Sequence, residues 1–339
     1  MMKIILVFML CVKIFHCSVI NLHCITKTGH EGTCKSITDC EAFNQNLNED
    51  DINDMSPCDF DGSIGIYCCP NFVHPLLPQL TKSCNKTLRI KDQMKPHFAD
   101  FNENSKISSI NELPFMVQVM LLEKGFVGSG VLINEKFVLT SAHAVYFRKS
   151  MPICRFGKTT RDDLDRLIGI DINVMQVIPH ELYIPRELYF DIALLLLERN
   201  IKFSDNVFPI CLYNSEIKLN NNQKFMLSGW KSNGRKVNEL MKGKVEEITK
   251  SKCQHSYENE SYIKMLPDGI TDNLFCGKFG SCMNTPDSDG SLFININDTF
   301  FVYGFASTIN TNCNSQSPGI YSRISDMINW IENIVTETP

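Results

Sequence analysis

The dominant pattern in this chain is a series of short apolar runs separated by turn-forming residues, beginning near residue 113. Short strands at this spacing are typical of an all-β barrel or sandwich. We therefore predict an all-β fold for this part of the chain. The predicted strands span residues 115–122, 131–141, 170–178, 192–197, 225–230, 292–296 and 301–305.

The tail of the chain has a different period. Its apolar residues recur at helical spacing, so that they would share one face of a helix. We predict a terminal amphipathic helix that packs on the β-rich body. The residues of this face are Ile324, Met327, Ile328, Ile331 and Val335.

The beginning of the chain predicts a secretory signal. Lys3 is followed by an apolar run over residues 4–12, with small residues near Ser18. This is the arrangement of a signal peptide, and the run is too short to cross a bilayer. We predict a signal at 1–18 and a secreted, extracellular mature chain. The alternative interpretation is a buried N-terminal strand.

The cysteines predict disulfide bonds rather than a metal site. The chain has 15 cysteines, and two of them, Cys11 and Cys17, lie within the predicted signal. The others predict a disulfide framework with one cysteine left over, as expected in an oxidising compartment. Metal binding at Cys68 and Cys69 is the competing hypothesis, but the CxxC and HxxxH spacings of zinc sites are absent. We predict no metal and no cofactor.

Cysteine density also predicts the domain organisation. Six cysteines lie in residues 24–70, where apolar runs are few, so we predict a small domain held together by disulfides. Residues 71–112, rich in Pro, Lys and Asn, are predicted as a linker. The β-rich body, 113–336, is the larger domain. Sequons predict glycosylation at Asn85, Asn259 and Asn297.

Charge excludes two classes of partner. The net charge of −5 is small for 339 residues, and the basic residues are scattered along the chain. Nucleic acids and acidic membrane surfaces attract proteins through concentrated basic patches. We therefore predict neither a nucleic-acid partner nor a membrane partner.

Three motifs carry candidate chemistry, and they occur in the order His, Asp, Ser. His143 lies in V-L-T-S-A-H-A-V, Asp191 opens D-I-A-L-L-L-L, and Ser288 lies in P-D-S-D-G-S-L. Acyl transfer by serine needs an imidazole base on the hydroxyl and a buried carboxylate that orients the imidazole. Each residue alone is usually structural, but the three contexts together predict a catalytic triad.

With these motifs, residues 113–335 resemble a chymotrypsin-type serine protease domain. Further matching segments are L-S-G-W, F-P-I-C-L and C-N-S-Q-S-P-G-I-Y-S-R-I, which extend the resemblance over the whole domain. The resemblance implies two six-stranded antiparallel β-barrels with the catalytic cleft between them.

The N-terminal cysteines resemble the clip domain of arthropod secreted proteases in their spacing and in the closing C-C-P. The two resemblances together imply six disulfides and leave Cys154 unpaired. Cys154 is then a buried thiol, an intermolecular link or a sign of mispairing in this assignment. The implied disulfides are Cys24–Cys68, Cys34–Cys58, Cys40–Cys69, Cys84–Cys211, Cys253–Cys276 and Cys282–Cys313.

The loop around Ser288 departs from the family. Two extra residues follow Cys282, and Pro286 stands where the family has the glycine whose N–H forms half of the oxyanion hole. Proline has no N–H to donate. Asp289 adds a carboxylate where the oxyanion would form. We predict a defective oxyanion hole; the alternative is that the insertion shifts another N–H into place.

The activation site and the substrate pocket also depart from the family. The nearest cleavage candidate is Lys106-Ile107, and the interval to Pro114 is too short for a new amine to reach Asp287. Gly280 occupies the pocket floor, where a trypsin-like enzyme has Asp. At the pocket wall, Ser307 is retained and Ile309 narrows the entrance. Gly128 and Ala144 replace the two cysteines that flank the catalytic histidine in the family.

These departures predict a serine protease homologue that binds rather than cleaves. Non-catalytic clip homologues of arthropods act in haemolymph on the protease cascade that activates prophenoloxidase for melanisation, and some occur in parasitoid wasp venom. The resemblance thus implies prophenoloxidase or its activating protease as a partner. The alternative is a low-activity serine endopeptidase that uses His143, Asp191 and Ser288.

Overall fold

The computed structural model describes most of the chain, which forms two compact units, residues 1–79 and 80–339. No helix among the described residues is long and apolar enough to span a membrane. The described residues are 23–25, 31–36, 57–61, 64–70, 82–94, 96, 110–146, 148–160, 169–219, 223–232, 238–258, 264–279, 290–309 and 318–338. The predicted signal peptide and the cleavage candidate Lys106-Ile107 lie outside these ranges.

The first unit contains a four-stranded antiparallel sheet in the order β1-β2-β4-β3. Two disulfides, Cys24–Cys68 and Cys34–Cys58, fix its strands to one another, and Cys68 is fully buried. Covalent links of this kind stabilise domains that are too small for a large apolar core. Its strands are β1 (His23–Ile25), β2 (Glu31–Ser36), β3 (Pro57–Asp61) and β4 (Ile64–Pro70).

The second unit begins with a helix that the sequence did not predict, α1 (Lys82–Met94). It lies within residues 71–112, which we predicted as a linker. The disulfide Cys84–Cys211 and the buried Leu88, one turn apart, fasten it to the body. The rest of the helix is largely polar, so its narrow apolar face gave little periodicity to detect.

The first barrel is a closed ring of six strands in the order β10-β7-β6-β5-β8-β9. The predicted strand 131–141 is in fact two strands. Asn134 separates them, because its side-chain oxygen accepts the N–H groups of Lys136 and Phe137 at 2.8 and 2.7 Å and forms a turn. The strands are β5 (Met116–Leu121), β6 (Gly125–Leu132), β7 (Phe137–Thr140), β8 (Ile153–Phe156), β9 (Ile170–Pro179) and β10 (Ala193–Leu197).

The second barrel closes because β16 pairs with both β15 and β17. Asn297 and Asp298, both at positive φ, make the tight turn between β15 and β16. β11 (Cys211–Leu212) adds in parallel to β16. The six barrel strands are β12 (Phe225–Ser232), β13 (Asn238–Glu247), β14 (Leu274–Phe279), β15 (Ser291–Ile296), β16 (Thr299–Thr308) and β17 (Gly319–Arg323).

The chain ends in a 3₁₀ turn (Ile324–Met327) followed by a helix (Ile328–Glu337), and Ile331 on its apolar face is fully buried. The predicted all-β double barrel with a C-terminal helix is thus confirmed. One apolar cluster contains side chains of both barrels, including Phe115 of the first and Phe293 of the second, whose rings lie 5.5 Å apart. This shared core fixes the two barrels against each other and so fixes residues placed between them.

Candidate active site

His143 lies on α2 (Ala142–Val145), a single helical turn that directly follows strand β7. Asp191 lies two residues before β10, the strand that pairs with β7 so that Ala193 faces Thr140. The two side chains therefore lie at the same end of the β7–β10 strand pair. The β-rich pattern predicted both strands, and their pairing brings together residues 48 positions apart.

The imidazole of His143 and the carboxylate of Asp191 form the pair that the motifs predicted. Nδ1 of His143 lies 2.7 Å from Oδ2 of Asp191, and the backbone N–H of His143 donates to Oδ1 at 2.8 Å. The Asp191 side chain is 2% exposed, whereas that of His143 is 36% exposed. A buried carboxylate on Nδ1 fixes the tautomer, so the basic position of the neutral imidazole is Nε2.

The backbone around Asp191 is also specialised. Phe190 has a φ of 51°, and its carbonyl accepts the N–H of Ile192 at 2.7 Å, so the chain turns tightly at Asp191. The N–H of Asp191 donates to Oγ of Ser322 at 3.2 Å. Ser322 is fully buried, and its hydroxyl lies 3.0 Å from that of Ser307. A strand of the second barrel thus holds the backbone of Asp191 in place.

Arg148 also holds the histidine turn in place. Nε and an Nη of Arg148 donate to the carbonyls of Ala144 and His143 at 2.8 and 3.0 Å. These are the carbonyls that a helix leaves without partners at its C-terminal end. Gly128 and Ala144, which replace the flanking cysteines of the family, are both buried on neighbouring elements. Arg148 thus supports the turn at a place where the family uses a disulfide.

A buried phenol adjoins the pair. Tyr183 packs edge-on against Tyr146, with ring centroids 5.2 Å apart. Burial raises the pKa of the Tyr183 hydroxyl, and the negative charge of Asp191 raises it further. Tyr183 therefore stays neutral over the physiological range and adds no second negative charge beside Asp191.

The loop that carries Ser288 lies outside the described residues, as do Pro286, Asp289, Gly280 and the predicted Cys282–Cys313 bond. Gly290 is the first described residue after this loop, and its carbonyl accepts the N–H of Ala306 at 3.0 Å. Of the predicted pocket wall, Ser307 contributes to the hydrogen bonds below Asp191, and Ile309 is half-buried beyond the end of β16. The triad and the oxyanion defect therefore remain predictions at their serine end.

Four of the six implied disulfides are present: two in the first unit, together with Cys84–Cys211 and Cys253–Cys276. The Cys40–Cys69 bond involves Cys40, outside the described residues. Cys154 is a fully buried free thiol, and burial raises its pKa, so it is unreactive in the folded protein.

Two of the three sequons fall on described residues. Asn297 is exposed at the turn between β15 and β16, where a glycan would meet solvent. Asn85 lies on α1, half-buried, and its Oδ1 is shielded from solvent. Asn259 lies outside the described residues. Glycosylation remains a prediction at all three positions. Of the two described asparagines, Asn297 is the more accessible to a glycan.

Sequence reasoning did not assign roles to Ser322 and Arg148. Ser322 lies in the segment that carried the family resemblance, but nothing in its spacing shows that its hydroxyl would accept from Asp191. Arg148 lies four and five residues after the residues whose carbonyls it binds. An arginine just beyond a helix end is a recognised capping pattern, and that signal could have found it.

Comparison with known families agrees with this geometry. A profile described as Trypsin matches residues 104–331, which is most of the chain. This chain belongs to the trypsin family. It is 28% identical to CLIP domain-containing serine protease C9 of Anopheles gambiae, over 80% of this chain and 81% of that protein.

Two further relatives extend the comparison. Melanization protease 1 of Drosophila melanogaster is 25% identical, over 92% of this chain and 93% of that protein. The Clotting factor G beta subunit of Tachypleus tridentatus is 28% identical, over 67% of this chain and 77% of that protein. The alignments with protease C9 and with Melanization protease 1 are long enough to include part of the N-terminal unit as well as the barrels.

Proposed function

We propose that this trypsin-family protein is a secreted clip-domain homologue that acts by binding and regulates the protease cascade that activates prophenoloxidase. The main support for this proposal is the sequence of the loop, in which Pro286 replaces an oxyanion-hole donor and Asp289 follows Ser288. Loss of one such donor costs about 10²–10³ in rate, or about 3–4 kcal/mol, in enzymes with an intact triad.

The activation segment supports the same proposal. Glu112 is buried and forms an ion pair with the equally buried Lys242 of β13. A new N-terminus at Ile107 would be tethered to this anchor by residues 107–111. Five extended residues span at most about 18 Å, which limits how far such an amine could travel towards Asp287.

The relatives and the first unit support the cascade role. One relative is named a melanization protease and another a CLIP domain-containing protease. The disulfides Cys24–Cys68 and Cys34–Cys58 are two of the three that a clip domain would have. Prophenoloxidase or its activating protease is the partner that this proposal expects, in haemolymph or as the target of a venom component.

A low-activity endopeptidase is the second candidate function. The 2.7 Å contact of His143 with Asp191 favours it, because a base in this geometry is what a serine nucleophile requires. Under this alternative, Ser288 reacts despite the altered loop, and its activity determines the effect of the protein on its cascade.

Addition of the purified protein and its Ser288→Ala variant to haemolymph separates the two candidates. A protein that acts by binding changes phenoloxidase activity equally in both forms. Loss of the effect in Ser288→Ala would establish the endopeptidase instead. The sign of the change gives the direction of regulation, since enhancement identifies a cofactor and suppression identifies an antagonist.

A further inference from the structure

A cavity on the second barrel has no role in the proposed function. Its volume is about 490 Å³, within the range of small-ligand pockets. The apolar lining, called the apolar wall below, consists of Ile248, Ile270, Leu274 and Cys276. The polar lining consists of Glu247, Thr249, Lys250, Thr271, Asp272 and Arg323.

Arg323 is the half-buried cation of this cavity. One Nη donates to the hydroxyl of Tyr303 at 3.1 Å, and the other to the carbonyl of Leu274 at 3.4 Å. The guanidinium carbon lies 5.7 and 5.8 Å from the ring centres of Tyr303 and Phe275. These contacts fix the orientation of the guanidinium, which is a planar group suited to bind a carboxylate.

None of these contacts neutralises Arg323. Among the described residues, no carboxylate lies within ion-pair distance of its guanidinium. Burial raises the pKa of the Tyr303 hydroxyl to about 12, so the phenol is a neutral acceptor. Cations that are taken out of water are normally paired with an anion. Asp272 and Asp326 lie beyond ion-pair distance but close enough to interact electrostatically with Arg323, so they compensate its charge in part. The buried Nε of Arg323 has no hydrogen-bond partner among the described residues, and so it is a donor that a bound carboxylate could use.

The rest of the rim restricts the anion that fits. Nζ of Lys250 lies 2.7 Å from Oδ1 of Asp272, so these two exposed charges largely neutralise each other. Glu247 adds one more exposed carboxylate. A polyanion would meet more repulsion from Glu247, Asp272 and Asp326 than a single carboxylate at Arg323 would. The apolar wall then faces whatever group is attached to that carboxylate.

We propose that this cavity binds a single carboxylate carried next to an apolar side chain, as in an acidic and aliphatic segment of a partner polypeptide. The site lies on β17, one residue after Ser322, but on the opposite face of the strand, because successive side chains alternate. Its occupation does not depend on whether Ser288 is a nucleophile.

Binding of two short fluorescent peptides to the full-length secreted protein tests this site. One has a central Asp between leucines, and the other has Asn in place of that Asp. We expect the Asp peptide to bind and the Asn peptide to bind at least about tenfold more weakly, as loss of a charge-assisted hydrogen bond implies. Equal binding of the two peptides would overturn the proposal.

Three variants locate the site. Arg323→Gln should weaken the Asp peptide about tenfold or more. Lys250→Glu, at the exposed rim, should weaken it about threefold to tenfold. Lys250 and Lys252 lie on the helix Lys250–Ser256 and are both exposed. Lys252→Glu, two residues along this helix and so on another face, should change binding less than about twofold. If Arg323→Gln does not fold, the Lys250 and Lys252 variants still test whether the peptide binds at this cavity. Equal effects of these two variants on peptide affinity would refute the site.

An acetate competition distinguishes a peptide site from a site for any small carboxylate. Acetate lacks the apolar neighbour, so we expect no displacement of the Asp peptide at equal concentration. Displacement by acetate at that concentration would show that the apolar wall contributes nothing, and would contradict the polypeptide part of the proposal.

Discussion

The His143–Asp191 pair and the loop that carries Ser288 differ in what else depends on them. Asp191 is buried, accepts the backbone N–H of His143 and donates its own N–H to Ser322. It therefore holds the histidine turn and links the two barrels. The loop that carries Ser288 is two residues longer than the family pattern. It also contains Pro286 and Asp289, which the family pattern does not have.

The difference shows which part of a triad serves the fold as well as catalysis. A buried carboxylate with several backbone contacts serves the fold, so its removal costs stability whether or not the protein is an enzyme. An oxyanion-hole N–H serves only the reaction. An intact histidine–aspartate pair is thus weak evidence for activity, and the residues that flank the serine are more informative.

Restoration of the loop should have the largest effect. The double variant Pro286→Gly, Asp289→Gly returns a backbone donor and removes a carboxylate, so Ser288 should react with a fluorophosphonate at least about 10²-fold faster. The control variant Thr285→Gly alters the same loop without returning the donor and should leave the rate unchanged. An equal rate in the wild type and the double variant would place the defect elsewhere.

Removal of the buried carboxylate should have the next largest effect, this time on stability. Asp191→Ala leaves the N–H and imidazole of His143 without their acceptor, and should lower the free energy of unfolding by about 2–4 kcal/mol. Chemical denaturation measures this loss. The exposed Asp268→Asn is the control and should change stability by less than about 0.5 kcal/mol. A small loss in Asp191→Ala would remove the structural reason for its retention.

Arg148→Ala tests the support of the histidine turn. Loss of two hydrogen bonds to helix-end carbonyls should lower the unfolding free energy by about 1–2 kcal/mol and shift the NMR signals of the His143 ring. Arg199→Ala is a suitable control, because Arg199 is exposed and makes a long contact to a carbonyl at 3.4 Å. Identical behaviour of the two variants would contradict a role for Arg148 at this turn.

The smallest effect concerns pH. His180 is buried between the rings of Phe190 and Trp330, and burial lowers its pKa. As pH falls below about 6.5, the unfolded chain takes up this proton before the folded protein does, so stability decreases down to the lowered folded pKa. His180→Asn should reduce this slope in denaturation measured between pH 7 and 5. Replacement of the exposed His255 by Asn should not.

The sequence predicted the parts of the fold that have a clear period. The strands around Val117, Leu194 and Phe293 form where the apolar runs occur, and the C-terminal helix has its predicted face. The helix α1 was missed because Cys84 and Leu88 are its main apolar anchors in an otherwise polar segment. Its order depends on a bond to Cys211, 127 residues away, which no local pattern can show.

The candidate site was predictable where motifs carry it. His143 and Asp191 meet as predicted, because each motif specifies both a residue and the strand beside it. The roles of Ser322 and Arg148 depend on which hydroxyl and which carbonyls the folded chain brings near, and spacing alone does not determine this. The buried pair Glu112–Lys242 was missed for the same reason.

The most direct test of the central claim is fluorophosphonate labelling of the wild-type protein, followed by intact mass, before and after limited trypsin treatment. Trypsin supplies any activating cleavage, for example after Lys106, and Ser288→Ala defines the background. We predict labelling no greater than that of Ser288→Ala in both states. Stoichiometric labelling that Ser288→Ala abolishes would contradict the account and establish a working serine endopeptidase.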